Sequence, residues 1–192
     1  MSRGFTLIEV LTTLAIASLA LVTIAEGVMY MYRSNSSTIE QGMQVASARN
    51  GVSQFTRDAR EAAYADTGAY PIAAIGTSSI SFYADTDRDQ SVELVRYTLI
   101  GTSLIRTVVE AGSPPTYLGP TATSVVSQHV RNIEDGVPLF RYYTKGLEVA
   151  ATSSVSRIDA VSITPIVDIF TQHLPLNVTL SETAAFRNVR TP

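Results

Sequence analysis

The chain has 192 residues, a net charge of −3 and no cysteine. No basic block exceeds a single residue, which argues against a broad phosphate-binding surface, so DNA is not an expected partner. Without thiols there are no disulfide staples and no cysteine nucleophile. The core must hold by packing alone, as a head of about 120 residues can.

The polar start Met1-Ser-Arg-Gly4 gives way to an apolar run from Phe5 to Ala25 whose one ionisable side chain is Glu9. At 1.5 Å per residue these 21 positions extend about 31 Å, matching the roughly 30 Å hydrocarbon core of a bilayer. A secretory signal peptide would have a shorter apolar core and a small-residue cleavage site after it; Ala25-Glu26-Gly27 offers one, but the helical pattern continues past it. An ordinary single-pass anchor explains the length but leaves Glu9 without a purpose. A carboxylate in such a segment is costly without a partner and marks a functional site. Snorkelling of Glu9 to the lipid headgroups is the bland alternative.

The residues Gly4-Phe5-Thr6-Leu7-Ile8-Glu9-Val10 closely resemble the type III signal of type IV pilins and of the pseudopilins of type II secretion. The resemblance implies cleavage between Gly4 and Phe5 by a prepilin peptidase on the cytoplasmic side, N-methylation of Phe5, and Glu9 as the assembly glutamate. It implies an N-terminus inside the cell, which the small charge asymmetry between Arg3 and Arg33 does not itself decide. The implied partners are the prepilin peptidase/methyltransferase, other pilin or pseudopilin subunits, the inner-membrane assembly platform and membrane lipid.

Elementary electrostatics gives the motif a rationale. A free amine on Phe5 titrates near 7.7–8 and is mostly charged at neutral pH. Glu9 follows about 6 Å along the axis. Helices stacked with an axial offset let Glu9 of one meet the amine of the next, and a mis-stacked subunit leaves both charges bare. Such a pair fixes register more than it adds stability. Thr12, Thr13, Ala15, Ala17, Ser18, Ala20 and Thr23 are small enough for close helix approach.

Beyond the span, Val45, Val52, Phe55, Ala59 and Ala62 form an apolar stripe at helical spacing, with Arg49, Gln54, Arg57, Asp58, Arg60 and Glu61 on other faces. The Ser34-Asn35-Ser36-Ser37 cluster either caps a new helix or marks a break, and Gly68 and Pro71 end the helical region. Strands are predicted at Ile80–Ala84, Val92–Ile100 and Leu104–Val109, with hairpin links at Asp85–Ser91 and Gly101–Ser103. A looser stretch from Gly112 to Pro120 follows. A second strand set begins near Val137–Tyr143, turns at Thr144-Lys145-Gly146, and resumes over Arg157–Ile169 and Leu174–Val189.

The expected fold is α+β and pilin-like, a long N-terminal helix packed on an antiparallel β-sheet head. The expected divisions are a leader at 1–4, a transmembrane and filament-core helix at 5–32, an amphipathic helix at 33–70 and a β-rich head at 71–192. The head resembles the larger minor pseudopilins, the J-type subunit of type II secretion and the W-type minor pilin. Phe82-Tyr83-Ala84-Asp85, Val95-Arg96-Tyr97, Phe140-Arg141-Tyr142-Tyr143 and Phe186-Arg187-Asn188 carry that likeness. The span lacks the proline usual in major Gram-negative pilins, which leans toward a minor subunit. Expected is a single-pass inner-membrane protein with an exported head that enters an extracytoplasmic filament. The rival reading is a filament-borne binding module for DNA, a surface or an exoprotein.

One constellation suggests a ligand. Asp85, Asp87 and Asp89 occupy positions one, three and five of an EF-hand-like pattern that a hard cation such as Ca²⁺ would suit. The pattern breaks at Gln90, where the turn glycine belongs, and at Arg96, where a bidentate glutamate belongs. A solvated acidic hairpin explains the same residues, and no other cofactor is expected. The two histidines, His129 and His173, come with no local catalytic signature, so no enzyme is expected. Tyr64, Tyr70, Tyr83, Tyr97, Tyr117, Tyr142 and Tyr143 are assigned to core and sheet surface.

Overall fold

The computed structural model describes residues 4–113, 115–168 and 177–187. Helix α1 (Leu7–Arg60) opens the chain. The Ser34–Ser37 cluster lies within it, as neither a cap nor a break. The chain divides into two compact units, Met1–Gln41 and Gly42–Pro192.

In the first unit, every described side chain from Gly4 to Ser34 is exposed. The 28 residues Leu7–Ser34 are long and apolar enough to cross a membrane, by length and composition. Their hydroxyls return to the helix backbone: Thr12 Oγ1 donates to Ile8 O at 2.9 Å, Thr13 Oγ1 to Glu9 O at 2.8 Å and Thr23 Oγ1 to Leu19 O at 2.8 Å. The small polar residues thus bring no unpaired donor into an apolar environment.

In the second unit, the last turns of α1 bury Ala48, Val52, Phe55 and Ala59, at steps of four, three and four. This is the predicted stripe, with Ala48 fully buried where Val45 is only partly so. The helix stops at Arg60, before Gly68. Beyond it the backbone pairs with a strand: Ala63 N–H donates to Tyr83 O at 2.9 Å and Ala62 bridges Ala84. Gly68, at φ +80°, instead closes a turn with Ala65.

Five strands follow as an antiparallel sheet in chain order: β1 (Ile72–Ile75), β2 (Ser79–Ala84), β3 (Glu93–Ile100), β4 (Ser103–Val109) and β5 (Thr121–Ser127). The predicted hairpins are both present, β2 on β3 and β3 on β4. Strand β3 shows the two-residue period of a half-buried strand, with Glu93, Val95, Tyr97 and Leu99 inward. After the five strands come β6 (Phe140–Thr144), β7 (Leu147–Val149), a 3₁₀ turn at Val155–Arg157, β8 (Ala160–Ile163), β9 (Ile166–Asp168), β10 (Asn177–Thr179) and β11 (Glu182–Ala185). They form a four-stranded sheet ordered β11-β8-β6-β7 and a β10-β9 pair.

Phe55 joins the helix to both larger sheets. Its ring lies 5.1 Å from Tyr97 and 6.2 Å from Phe82, both edge-on, and 5.2 Å from Phe140. Such contacts add to the area term that dominates core stability. Gly51, one turn earlier, lets α1 approach β5: a Cβ there would sit 2.9 Å from the Val126 carbonyl oxygen.

Asp58 departs from the sequence reading. Placed off the apolar stripe by its spacing, it nevertheless belongs to the core, 2% exposed. Its Oδ2 accepts from the Tyr97 hydroxyl at 2.8 Å and from Arg106 Nε at 2.7 Å. A charge becomes tolerable there because an opposite charge and a hydroxyl replace water.

Candidate functional site

At the N-terminus, Gly4, Phe5 and Thr6 lie ahead of the helix, and Gly4 and Phe5 are exposed. Nothing lies within 4 Å of where a Gly4 Cβ would be, so folding alone does not demand glycine there. Thr6 and Glu9 close a reciprocal capping box. The Thr6 N–H and hydroxyl donate to Glu9 Oε2 at 2.9 and 2.8 Å, and the Glu9 N–H donates to Thr6 Oγ1 at 3.4 Å. The first amides of a helix have no internal partner, and this arrangement satisfies two of them while setting a carboxylate at the positive end of the helix dipole. Sequence reasoning identified Glu9 but not its bond to Thr6, although the Thr-x-x-Glu spacing announces it.

The acidic hairpin between β2 and β3 brings Asp85, Asp87 and Asp89 together and adds Glu93. One carboxylate oxygen from each lies within 4.8 Å of the others. Each carboxylate also holds the backbone: Asp85 Oδ1 accepts from Arg88 N at 2.6 Å, Asp87 Oδ1 from Asp89 N at 3.2 Å and Asp89 Oδ1 from Ser91 N at 2.7 Å. Glu93 Oε2 accepts from the Thr86 N–H at 2.7 Å and its hydroxyl at 3.0 Å. Asp66 pins the far side, accepting from Ser91 Oγ and Val92 N.

Glu93 is the member that sequence reasoning missed. It stands at an inward position of β3, is 0% exposed, and its Oε1 has no hydrogen-bond partner among the described residues. Burial pushes its carboxyl above the usual range. The Thr86 bonds pull the other way, while the charges of Asp87 and Glu110 add to the rise. The loop's own cation points elsewhere, Arg88 pairing with Glu61 at 3.6 Å. Gln90 takes the left-handed conformation expected of the missing glycine, with φ +78°. Arg96 stays exposed on β3, while Glu93 supplies the further carboxylate.

His129 is partly buried and its carbonyl accepts from Asp168 N at 3.0 Å; His173 lies outside the described residues. Tyr97 and Tyr142 are core groups, the Tyr142 hydroxyl donating to Gly76 O at 2.7 Å. Tyr83 and Tyr117 pack together with ring centres 4.8 Å apart, and Tyr64 meets Tyr70 edge-on at 6.0 Å.

No curated protein matches the chain. Residues 1–25 match the family model of the prokaryotic N-terminal methylation motif, whose family is structural rather than catalytic. The apolar helix after Gly4 fits a membrane anchor, and the α+β layout is pilin-like. The chain carries, within residues 1–25, the prepilin signal of type IV pilins and pseudopilins, and this signal supports a pilin- or pseudopilin-like precursor.

Proposed function

We propose that this protein is a structural subunit of a type IV pilus-like filament, a minor pilin or pseudopilin stored in the inner membrane and drawn into the filament through its N-terminal helix. The observation that carries the reading is the prepilin signal joined to a spanning helix whose single early charge is Glu9. Gly4 is the last leader residue, Phe5 the methylated N-terminus and Glu9 the assembly glutamate. The leader's N-terminus is cytoplasmic and the head is exported.

The capping box supplies a storage state. In the separate subunit Glu9 is held by Thr6, so its carboxylate is not bare in lipid. In the filament the same carboxylate is offered to the Phe5 amine of a neighbour. Correct axial offset satisfies both charges, whereas a shifted subunit strands them in an apolar bundle. The exchange needs no large movement, only a new partner for a side chain already at the helix end.

The test is the N-terminus of the chain expressed with and without a prepilin peptidase, read by intact mass and N-terminal sequencing. Loss of residues 1–4 with a methyl group on Phe5, only when the peptidase is present, is the expected result. An intact Met1 in both, or cleavage after Ala25, overturns the reading.

A further inference from the structure

We propose that Asp85, Asp87, Asp89 and Glu93 form a Ca²⁺ site at the β2–β3 hairpin, independent of the role of the N-terminal helix. The sequence pattern alone is an acidic loop, and acidic loops are common in water. What singles this one out is Glu93, a fully buried carboxylate with an orphaned Oε1, placed among three aspartates. A buried acceptor without a partner costs free energy, and a carboxylate costs more when the groups facing it are also negative. Among the described residues no lysine or arginine pairs with any of the four. A bound cation supplies the missing partner and relieves the mutual repulsion in one step.

The chemistry selects the ion. The donors are all carboxylate oxygens, with no imidazole or thiolate, which favours a hard cation over zinc or copper. Ca²⁺ takes 6–8 oxygens at about 2.3–2.6 Å, so two ligands on opposite sides of it stand about 4.6–5.2 Å apart. The four oxygens lie within 4.8 Å of one another, so they fit around one such ion. Because each aspartate already spends one oxygen on the loop backbone, its second is available without unfolding the turn. Mg²⁺ demands a tighter octahedron at about 2.0–2.1 Å and keeps more of its water, so it is the weaker occupant.

The test uses the full chain in non-ionic detergent, stripped with a chelator and titrated with CaCl₂ or MgCl₂ by calorimetry, with the melting temperature followed in parallel. Expected is one Ca²⁺ per chain with a dissociation constant of about 10⁻⁴–10⁻³ M, in the range of extracellular calcium modules. Asp87→Asn and Glu93→Gln should each weaken Ca²⁺ binding at least tenfold, and Mg²⁺ should bind the parent chain at least tenfold more weakly. Asp87 is exposed, so its variant reports on binding even where Glu93→Gln fails to fold. No heat and no melting shift with Ca²⁺ up to about 10 mM overturns the proposal, given the affinities such modules show. Unchanged affinity in Asp87→Asn overturns it too, by placing the ion elsewhere.

Discussion

Arg106 Nε donates to Asp58 Oδ2 at 2.7 Å, tying helix α1 to strand β4 across the core, with Asp58 2% and Arg106 14% exposed at their side chains. The pair is sealed by the Tyr97 hydroxyl on the same oxygen. Replacing Asp58 by alanine strands a guanidinium and a phenol in an apolar setting. We expect Asp58→Ala to lose about 3–5 kcal/mol, and Tyr97→Phe, which keeps the ion pair, only about 1 kcal/mol. Urea denaturation of the full chain in detergent, followed by tyrosine fluorescence, measures both, since the chain has nine tyrosines and no tryptophan.

Two glycines of α1 should respond with opposite signs. At Gly51 a Cβ would lie 2.9 Å from Val126 O and 3.3 Å from Ser127 Cβ, so Gly51→Ala must push the helix off β5 and lose about 1–3 kcal/mol. Gly42 has nothing within 4 Å, and Gly42→Ala should gain about 0.5–1 kcal/mol of helix propensity. Equal effects in the same denaturation assay would discredit the close approach.

Alkaline pH should unfold the head through its buried phenols. Burial raises Tyr97 far above the ordinary phenol value, and the neighbouring Asp58 charge adds to this while Arg106 opposes it; burial does the same to Tyr142. A raised folded pKa means stability is intact below the unfolded value of 10.0 and falls as pH climbs past it. The loss should approach about 1.4 kcal/mol per pH unit for each such tyrosine. Denaturation midpoints from pH 8 to 11 should therefore stay level at first and then drop, and Tyr97→Phe should flatten the drop.

Substitutions at the N-terminus separate processing from assembly. Gly4→Asp should fold normally, the site being open, yet resist the peptidase. Glu9→Ala should be cleaved but enter filaments poorly. Glu9→Gln is the sharper probe, because glutamine also serves a capping box while lacking the charge. If Glu9→Gln assembles as well as the parent in a pull-down of sheared filaments, capping rather than charge register is what assembly needs.

Much of the head was legible because its strands obey simple periodicity. The β2–β3–β4 hairpins follow β-branched and aromatic runs broken by polar links, and the α1 stripe follows the helical period. Strand β5 escaped notice because its exposed Thr121–Ser124 stretch carries only threonine, alanine and serine, with no apolar alternation to announce it. The helix terminus was misplaced because Gly68 is a stronger local signal than strand pairing at Ala62 and Ala63, which is a tertiary event. The burial of Asp58 was not legible because its partners lie 39 and 48 residues away. Glu93 was legible in principle. It sits in phase with Val95, Tyr97 and Leu99, and a charge on the inward phase of a strand already asks for a counter-charge.

The chain-order pairing of β1 through β5 bears on how the head is made. Each strand finds its partner in the segment just synthesised, across links short enough for closure to cost little entropy. The first sheet can therefore form as the polypeptide lengthens, on a helix that precedes it. The second sheet cannot: β8 sits between β6 and β11, and so is completed only when the last described residues arrive. Premature termination between β8 and β11 would leave a formed meander beside an unpaired β8 edge, a species prone to pair with another copy of itself.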